Sequence, residues 1–272
     1  MGSGDSCVWQ RAKGVLSATF ARTGKRTQPE RLFETGGLRW RFPRASGPCE
    51  AAIVNVGGGI AGGDFYRFDL MLAPEAEVEA TTVAAEKIYR SDGPAALIET
   101  RLALERRARL RWLPQETILF EGARLERRLR IDLHKESNLL AVESLVFGRL
   151  AMGERRIDAR LKESWRVSIG NRLVFADETR LASAGAALDR KAVGAGARAL
   201  ATIVAAAPDL EARLPDLRAA LDAHGGAVEA GGSFFDGLVV ARLVSPSPAR
   251  LRAAATAAIV AFSGREPPRL WR

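Results

Sequence analysis

The sequence predicts a mainly β protein whose helices are confined to its last third. Short stretches of alternating apolar and polar residues recur from Tyr66 to Ile169, no helical repeat separates them, and a 3.6-residue periodicity appears only after Pro208. Many short strands joined by polar turns favour an all-β body over a doubly wound α/β fold.

Residues 51–56 form the first apolar run that reads as a strand. In 66–72, Tyr66, Phe68, Leu70 and Leu72 alternate with Arg67, Asp69 and Met71, and Pro74 ends the pattern. Further strands are predicted at 76–84, 96–104, 110–113, 125–133, 139–147 and 157–169. Gly170-Asn171 then turns the chain into a hairpin with 173–175. A helix is expected from Pro208-Asp209 to Gly225-Gly226, because Leu210, Leu214, Leu217 and Leu221 recur at helical spacing, with Pro215 kinking or splitting it. Residues 232–244 read as a strand or hairpin. Ser247 caps a second helix with Pro248 at its first position, and Leu251, Ala255, Ile259 and Phe262 carry it to Gly264. The alanine and glycine of 182–196 suggest a flexible loop, and residues 1–9 are expected to be disordered. No boundary or repeat divides the chain, so 1–272 is expected to be a single domain.

A chain of 272 residues with 47% hydrophobic side chains has ample material for a core. No apolar run approaches the ~20 residues of a membrane span, and the N-terminus lacks a signal-peptide pattern, so a cytoplasmic location is expected. Cys7 and Cys49 are the only cysteines and His134 and His224 the only histidines, with no zinc-site spacing. The net charge of +9 and pI of about 10.3 fit a basic all-β nucleic-acid-binding module, which is the alternative function. Against it, Arg109, Arg111, Arg128 and Arg130 alternate with apolar residues, which places them on a solvated strand face, without aromatic interleaving for base stacking. An acidic protein partner suits such a surface better.

Residues 55–64 read N-V-G-G-G-I-A-G-G-D, five glycines in seven positions closing on Asp64. Gly57, Gly59 and Gly62 match the G-x-G-x-x-G spacing of a dinucleotide site, but that site needs a helix at the third glycine and here a strand pattern follows. No glycine is followed by the lysine and hydroxyl residue of a P-loop. The run is therefore expected to be a tight turn between strands.

Two carboxylates break the inward parity of their strands. Glu163 lies between Leu161 and Trp165, and Glu143 shares its side with Leu139, Ala141, Leu145 and Phe147. Thr82 shares the apolar side of Ala76, Val78, Ala80 and Ala84. A buried carboxylate needs a partner, water or an ion, so either arginines pair with these residues or the interior is partly wet. No serine, histidine and acid arrangement supports nucleophilic hydrolysis.

N-V-G-G-G-I-A-G-G-D, T-T-V-A-A-E-K-I-Y-R at 81–90, W-L-P-Q-E-T-I-L-F-E-G-A at 112–123, G-R-L-A-M-G-E at 148–154 and the closing P-R-L-W-R together resemble the urease accessory protein UreD family. The resemblance spans about residues 10–272, in the family's order. It implies a stacked, β-helix-like arrangement of many short strands with two helices in the C-terminal third. It also implies a non-enzymatic chaperone of urease maturation that binds the urease apoprotein and, through UreF, recruits the GTPase UreG. No cofactor is implied as tightly bound; nickel is implied in transit, with a water-filled tunnel as its route. An oxygen-lined path suits a passing ion, because nickel prefers imidazole and thiolate. Asp64, Thr82, Glu143 and Glu163 are the candidate lining residues, with Glu116 as a further one. In the competing interpretation, Asp64 caps the glycine turn and the glutamates pair with arginines.

Overall fold

The computed structural model describes residues 11–43 and 47–271; the disorder expected for 1–9 lies outside these. β1 (Lys13–Thr23) and β2 (Arg26–Glu34) form a hairpin, and β3 (Leu38–Arg41) pairs antiparallel with β4 (Cys49–Asn55). From there the chain winds as a solenoid through β5 (Phe65–Leu72), β6 (Glu77–Thr82), β7 (Glu86–Ile88), β8 (Ala96–Leu104), β9 (Arg109–Trp112), β10 (Thr117–Leu119), β11 (Arg124–Leu133), β12 (Asn138–Phe147) and β13 (Arg160–Ile169). β14 (Arg172–Leu181), α1 (Ala184–Asp189), β15 (Ala199–Ala206), α2 (Leu214–Asp222), β16 (Glu229–Phe235), β17 (Leu238–Ser245) and α3 (Pro248–Ser263) complete it.

Successive coils deposit their strands alternately on two sheets. The first sheet runs β14-β13-β11-β8-β5-β1-β2, and β1, β5, β8, β11 and β13 are mutually parallel. The second runs β16-β17-β15-β12-β9-β6-β4-β3, parallel from β4 to β12. β7 and β10 extend the second sheet as a narrow third side, with Ile60 bridging Ile88 and Leu119 beside Phe147. Stacking in register lines up like residues: Leu70, Leu102, Ile131 and Val167 are adjacent on the first sheet and all buried.

The mainly β, β-helix-like stack expected from the family is thus the observed architecture. There are two cores. One lies between the sheets, and the other lies between the second sheet and α2 and α3, built from Val142, Ile203, Val239, Leu217, Leu251 and Ile259 among others. β12 and β15 touch both cores, which explains their nearly continuous apolar runs.

Ser247 Oγ accepts from the Arg250 N–H and Gly264 ends α3 with φ of 63°, as the capping pattern requires. Pro215 does not kink a longer helix. A 3₁₀ turn at Glu211–Arg213 precedes α2, and Pro215 sits in the first turn of α2, where no intrahelical N–H is needed. Residues 182–196, read as a loop, include α1 with buried Ala184 and Leu188. The expected 232–244 segment is the β16–β17 hairpin.

Candidate functional site: a polar column in the solenoid interior

The glycine turn sets the start of the column. After Gly62 and Gly63 comes β5, so the helix required for a dinucleotide site is absent there. A Cβ on Gly62 would lie 1.9 Å from Ser91 Oγ, and Gly63 has φ of 84°, so close approach and left-handed backbone account for these two glycines. Asp64 closes the turn: Oδ1 accepts from the Ala12 N–H and Oδ2 from the Ala61 N–H, each at 2.8 Å.

Two residues further on, the register along the first sheet reads Tyr66, Ile98, Arg127 and Glu163. Arg127 lies on the inward side of β11 with Leu125, Leu129 and Ile131, and is 4% exposed. Its Nε donates to Glu163 Oε1 at 2.7 Å, with a second guanidinium nitrogen on the same oxygen. Another nitrogen donates to Glu143 Oε2 at 2.7 Å and to Thr117 Oγ1 at 3.1 Å. Trp112 Nε1 donates to Glu143 Oε1 at 2.8 Å. Glu143 and Glu163, 7% and 4% exposed, therefore meet through one guanidinium. Burial pushes the Glu143 carboxyl above its ordinary value, with Arg127 and the Trp112 hydrogen bond opposing. Burial would lower the Arg127 pKa, but the two facing carboxylates outweigh it and hold the guanidinium charged.

The column continues along the third side. Thr117 pairs in register with Glu86, whose Oε2 accepts from Asn55 Nδ2 at 2.9 Å. Burial raises the Glu86 pKa, opposed by that hydrogen bond. At the other end, Glu143 and Glu163 line a cavity of about 210 Å³ with Thr179, Thr202 and Arg242. Arg242 also lies 2.7 Å from Asp177, an ion pair without directed hydrogen-bond geometry.

The other candidates lie elsewhere. Thr82 Oγ1 accepts from the Gln115 N–H at 2.9 Å and donates to the Ala84 carbonyl at 2.9 Å, which fixes the end of β6. Asp64 immediately precedes β5, which is two strands from β11. Glu116 pairs with Arg252 of α3, outside the column. Arg252 also contacts Gln115 and the Trp271 carbonyl, and Trp271 Nε1 donates to Leu113 O at 2.8 Å, so L-P-Q-E and P-R-L-W form a latch for the C-terminus. Arg127, Thr117 and Glu86 were missed. The parity break that marks Glu143 and Glu163 on their strands also marks Arg127, which shares the buried side of β11 with Leu125, Leu129 and Ile131.

The basic stretch also needs one correction. Arg128 and Arg130 are exposed as expected and interleaved with acids, at 2.7 Å from Glu126 and 2.9 Å from Asp132. Arg111, expected on a solvated face, is buried: the C-terminal segment covers it, and it pairs with Glu79 at 2.6 Å and donates to the Glu266 carbonyl at 2.9 Å. Among the described residues, no three His, Cys, Asp or Glu side chains group closely enough to hold a metal ion. No helix among them is long and apolar enough to cross a membrane.

Residues 12–272 match the profile of the UreD urease accessory protein family. The chain belongs to the UreD family. A urease accessory protein UreD from Methylobacterium sp. (strain 4-46) is 48% identical over 269 residues, covering 97% of this chain and 95% of the relative. One from Xanthobacter autotrophicus is 46% identical over 263 residues, covering 96% and 90%. A third, from Beijerinckia indica, is 45% identical over 250 residues, covering 92% and 93%. A role in urease maturation follows from this membership, and urease-related partners with it.

Proposed function

We propose that this chain is a cytoplasmic, non-catalytic chaperone that binds the urease apoprotein and, with UreF and the GTPase UreG, supports nickel insertion into the urease active site. Family membership across nearly the whole chain carries this proposal. The glycine turn leads into a strand instead of a nucleotide-binding helix, which suits a protein whose GTP hydrolysis belongs to a partner. Nickel is cargo here, and the interior column is its proposed route.

Glu143 and Glu163 supply the oxygen ligands of the column in this proposal, with Asp64, Thr82 and Glu116 as oxygen positions outside it. Asp64 and the two glutamates now engage backbone N–H groups and Arg127, so an ion must exchange with those donors. Weak, exchangeable oxygen sites release a divalent ion onward, where a thiolate or imidazole cage would retain it. The charge of +9 supports the nucleic-acid alternative, but the interleaved acids on the first sheet weaken a phosphate-binding stripe.

Co-expression with UreF, UreG and urease subunits tests the proposal. The chain is expected to co-purify with UreF and urease, and urease made without it to contain little nickel. Equal nickel loading in its absence, or steeply salt-dependent binding to generic DNA in place of protein partners, would overturn it.

A further inference from the structure

We propose that Arg127 is a resident competitor cation, which keeps the Glu143 and Glu163 pair from chelating a divalent metal and so sets how weakly the interior holds it. This inference rests on the transit route above and assigns the residue that controls it.

The column holds two carboxylates and one guanidinium, each 4–7% exposed, beside a cavity that also reaches the exposed Val193 and Arg242. Glu163 is bound through Oε1 alone; its Oε2 accepts no hydrogen bond from the described residues. Thr202, 6% exposed, likewise makes no side-chain hydrogen bond among them. Both residues line the cavity of about 210 Å³. At roughly 30 Å³ per water, that volume matches roughly seven waters, enough for a hydrated divalent ion. Carboxylate oxygens thus stand beside room for a cation, while the guanidinium already occupies the position between them.

A metal entering between the glutamates meets a fixed positive charge in a low-dielectric setting, where repulsion is strong. It gains both carboxylates only by displacing Arg127, whose planar fork is well matched to carboxylate oxygens. The same residue that satisfies the buried acids therefore weakens their grip on a metal. Without it, two uncompensated carboxylates beside a cavity would form a far better divalent site.

The test uses the purified full-length chain, or its complex with partners where the chain alone is insoluble, and nickel(II) chloride as the only probe. Equilibrium dialysis is run on wild type, Arg127→Gln, Arg127→Lys and Arg127→Gln/Glu163→Gln, with folding checked by circular dichroism. Arg127→Gln is expected to bind nickel at least tenfold more tightly than wild type, and the added Glu163→Gln to abolish most of that gain. In maturation assays, Arg127→Gln should retain nickel and lower its delivery to urease. If Arg127→Gln does not fold, Arg127→Lys decides, because an ammonium cannot occupy both carboxylates as the guanidinium does; a rise of at least threefold is expected. A folded Arg127 variant with unchanged nickel affinity overturns the competitor role and leaves the chaperone function standing. Loss of co-purification with urease by wild type would overturn that function instead.

Discussion

Arg111 and Arg127 are both buried, 7% and 4% exposed, yet they sit in different interiors and balance different charges. Arg111, on the outward side of β9, is matched by the single carboxylate of Glu79 and holds the carbonyl of Glu266. Its environment is charge-balanced, and its geometry is that of a clamp for the C-terminal segment. Arg127, inside the solenoid, faces both Glu143 and Glu163, with a cavity beside them. A clamp needs one acid per arginine. A surplus acid beside open volume serves stability poorly, and that difference supports the proposed route through the Arg127 column.

Breaking each arginine's environment tests that distinction. Arg127→Met strands two buried carboxylates and is expected to cost about 3–5 kcal/mol in urea denaturation. The triple substitution Arg127→Met/Glu143→Gln/Glu163→Leu removes the charges while leaving an acceptor for Trp112, and should recover most of that loss. If the single substitution is harmless, the column is wetter and less coupled than the geometry indicates.

On the clamp side, Trp271→Ala removes a buried ring and its hydrogen bond to Leu113, and is expected to cost about 3 kcal/mol. Limited proteolysis should then cut the C-terminal segment first, with the solenoid spared. Simultaneous unfolding of both regions would show that the two interiors are a single cooperative unit.

Asp64→Ala should cost about 1–2 kcal/mol, since two N–H donors lose their acceptor. Asp64→Asn, which keeps one oxygen, should lose less. Thermal melts of the two variants against wild type give the order.

The smallest expected effect is a pH dependence. Burial raises the Glu79 pKa from its ordinary 4.5, with Arg111 opposing. A raised folded-state pKa means that the Glu79 contribution is fully present below about pH 4.5 and is lost as pH rises through the raised value. Glu79→Gln should therefore lose less stability than wild type between pH 4.5 and neutrality. An identical slope for the two would mean that Arg111 fully compensates the burial.

Much of this was legible because period-two alternation survives wherever one strand face meets solvent. β5, β8, β11 and β13 present such a face, and their positions follow from the sequence within a few residues. β15, A-L-A-T-I-V-A-A, is buried on both sides and loses the alternation. β7 and β10 are three residues each, too short for any period to show. The solenoid repeat was hidden for another reason: register partners Phe65, Leu97, Glu126 and Lys162 are separated by 32, 29 and 36 residues, so no fixed period exists. Glu143 and Glu163 were visible as parity breaks on their own strands. Their meeting through Arg127 depends on cross-strand register, which local alternation does not encode.

The most direct measurement is the nickel content of urease matured with the Arg127→Met/Glu143→Gln/Glu163→Leu chain, compared with wild type, after confirming that the variant folds and co-purifies with its partners. A route through the charged column predicts a several-fold drop in nickel per urease active site with partner binding intact. Full nickel loading by this uncharged column would contradict it.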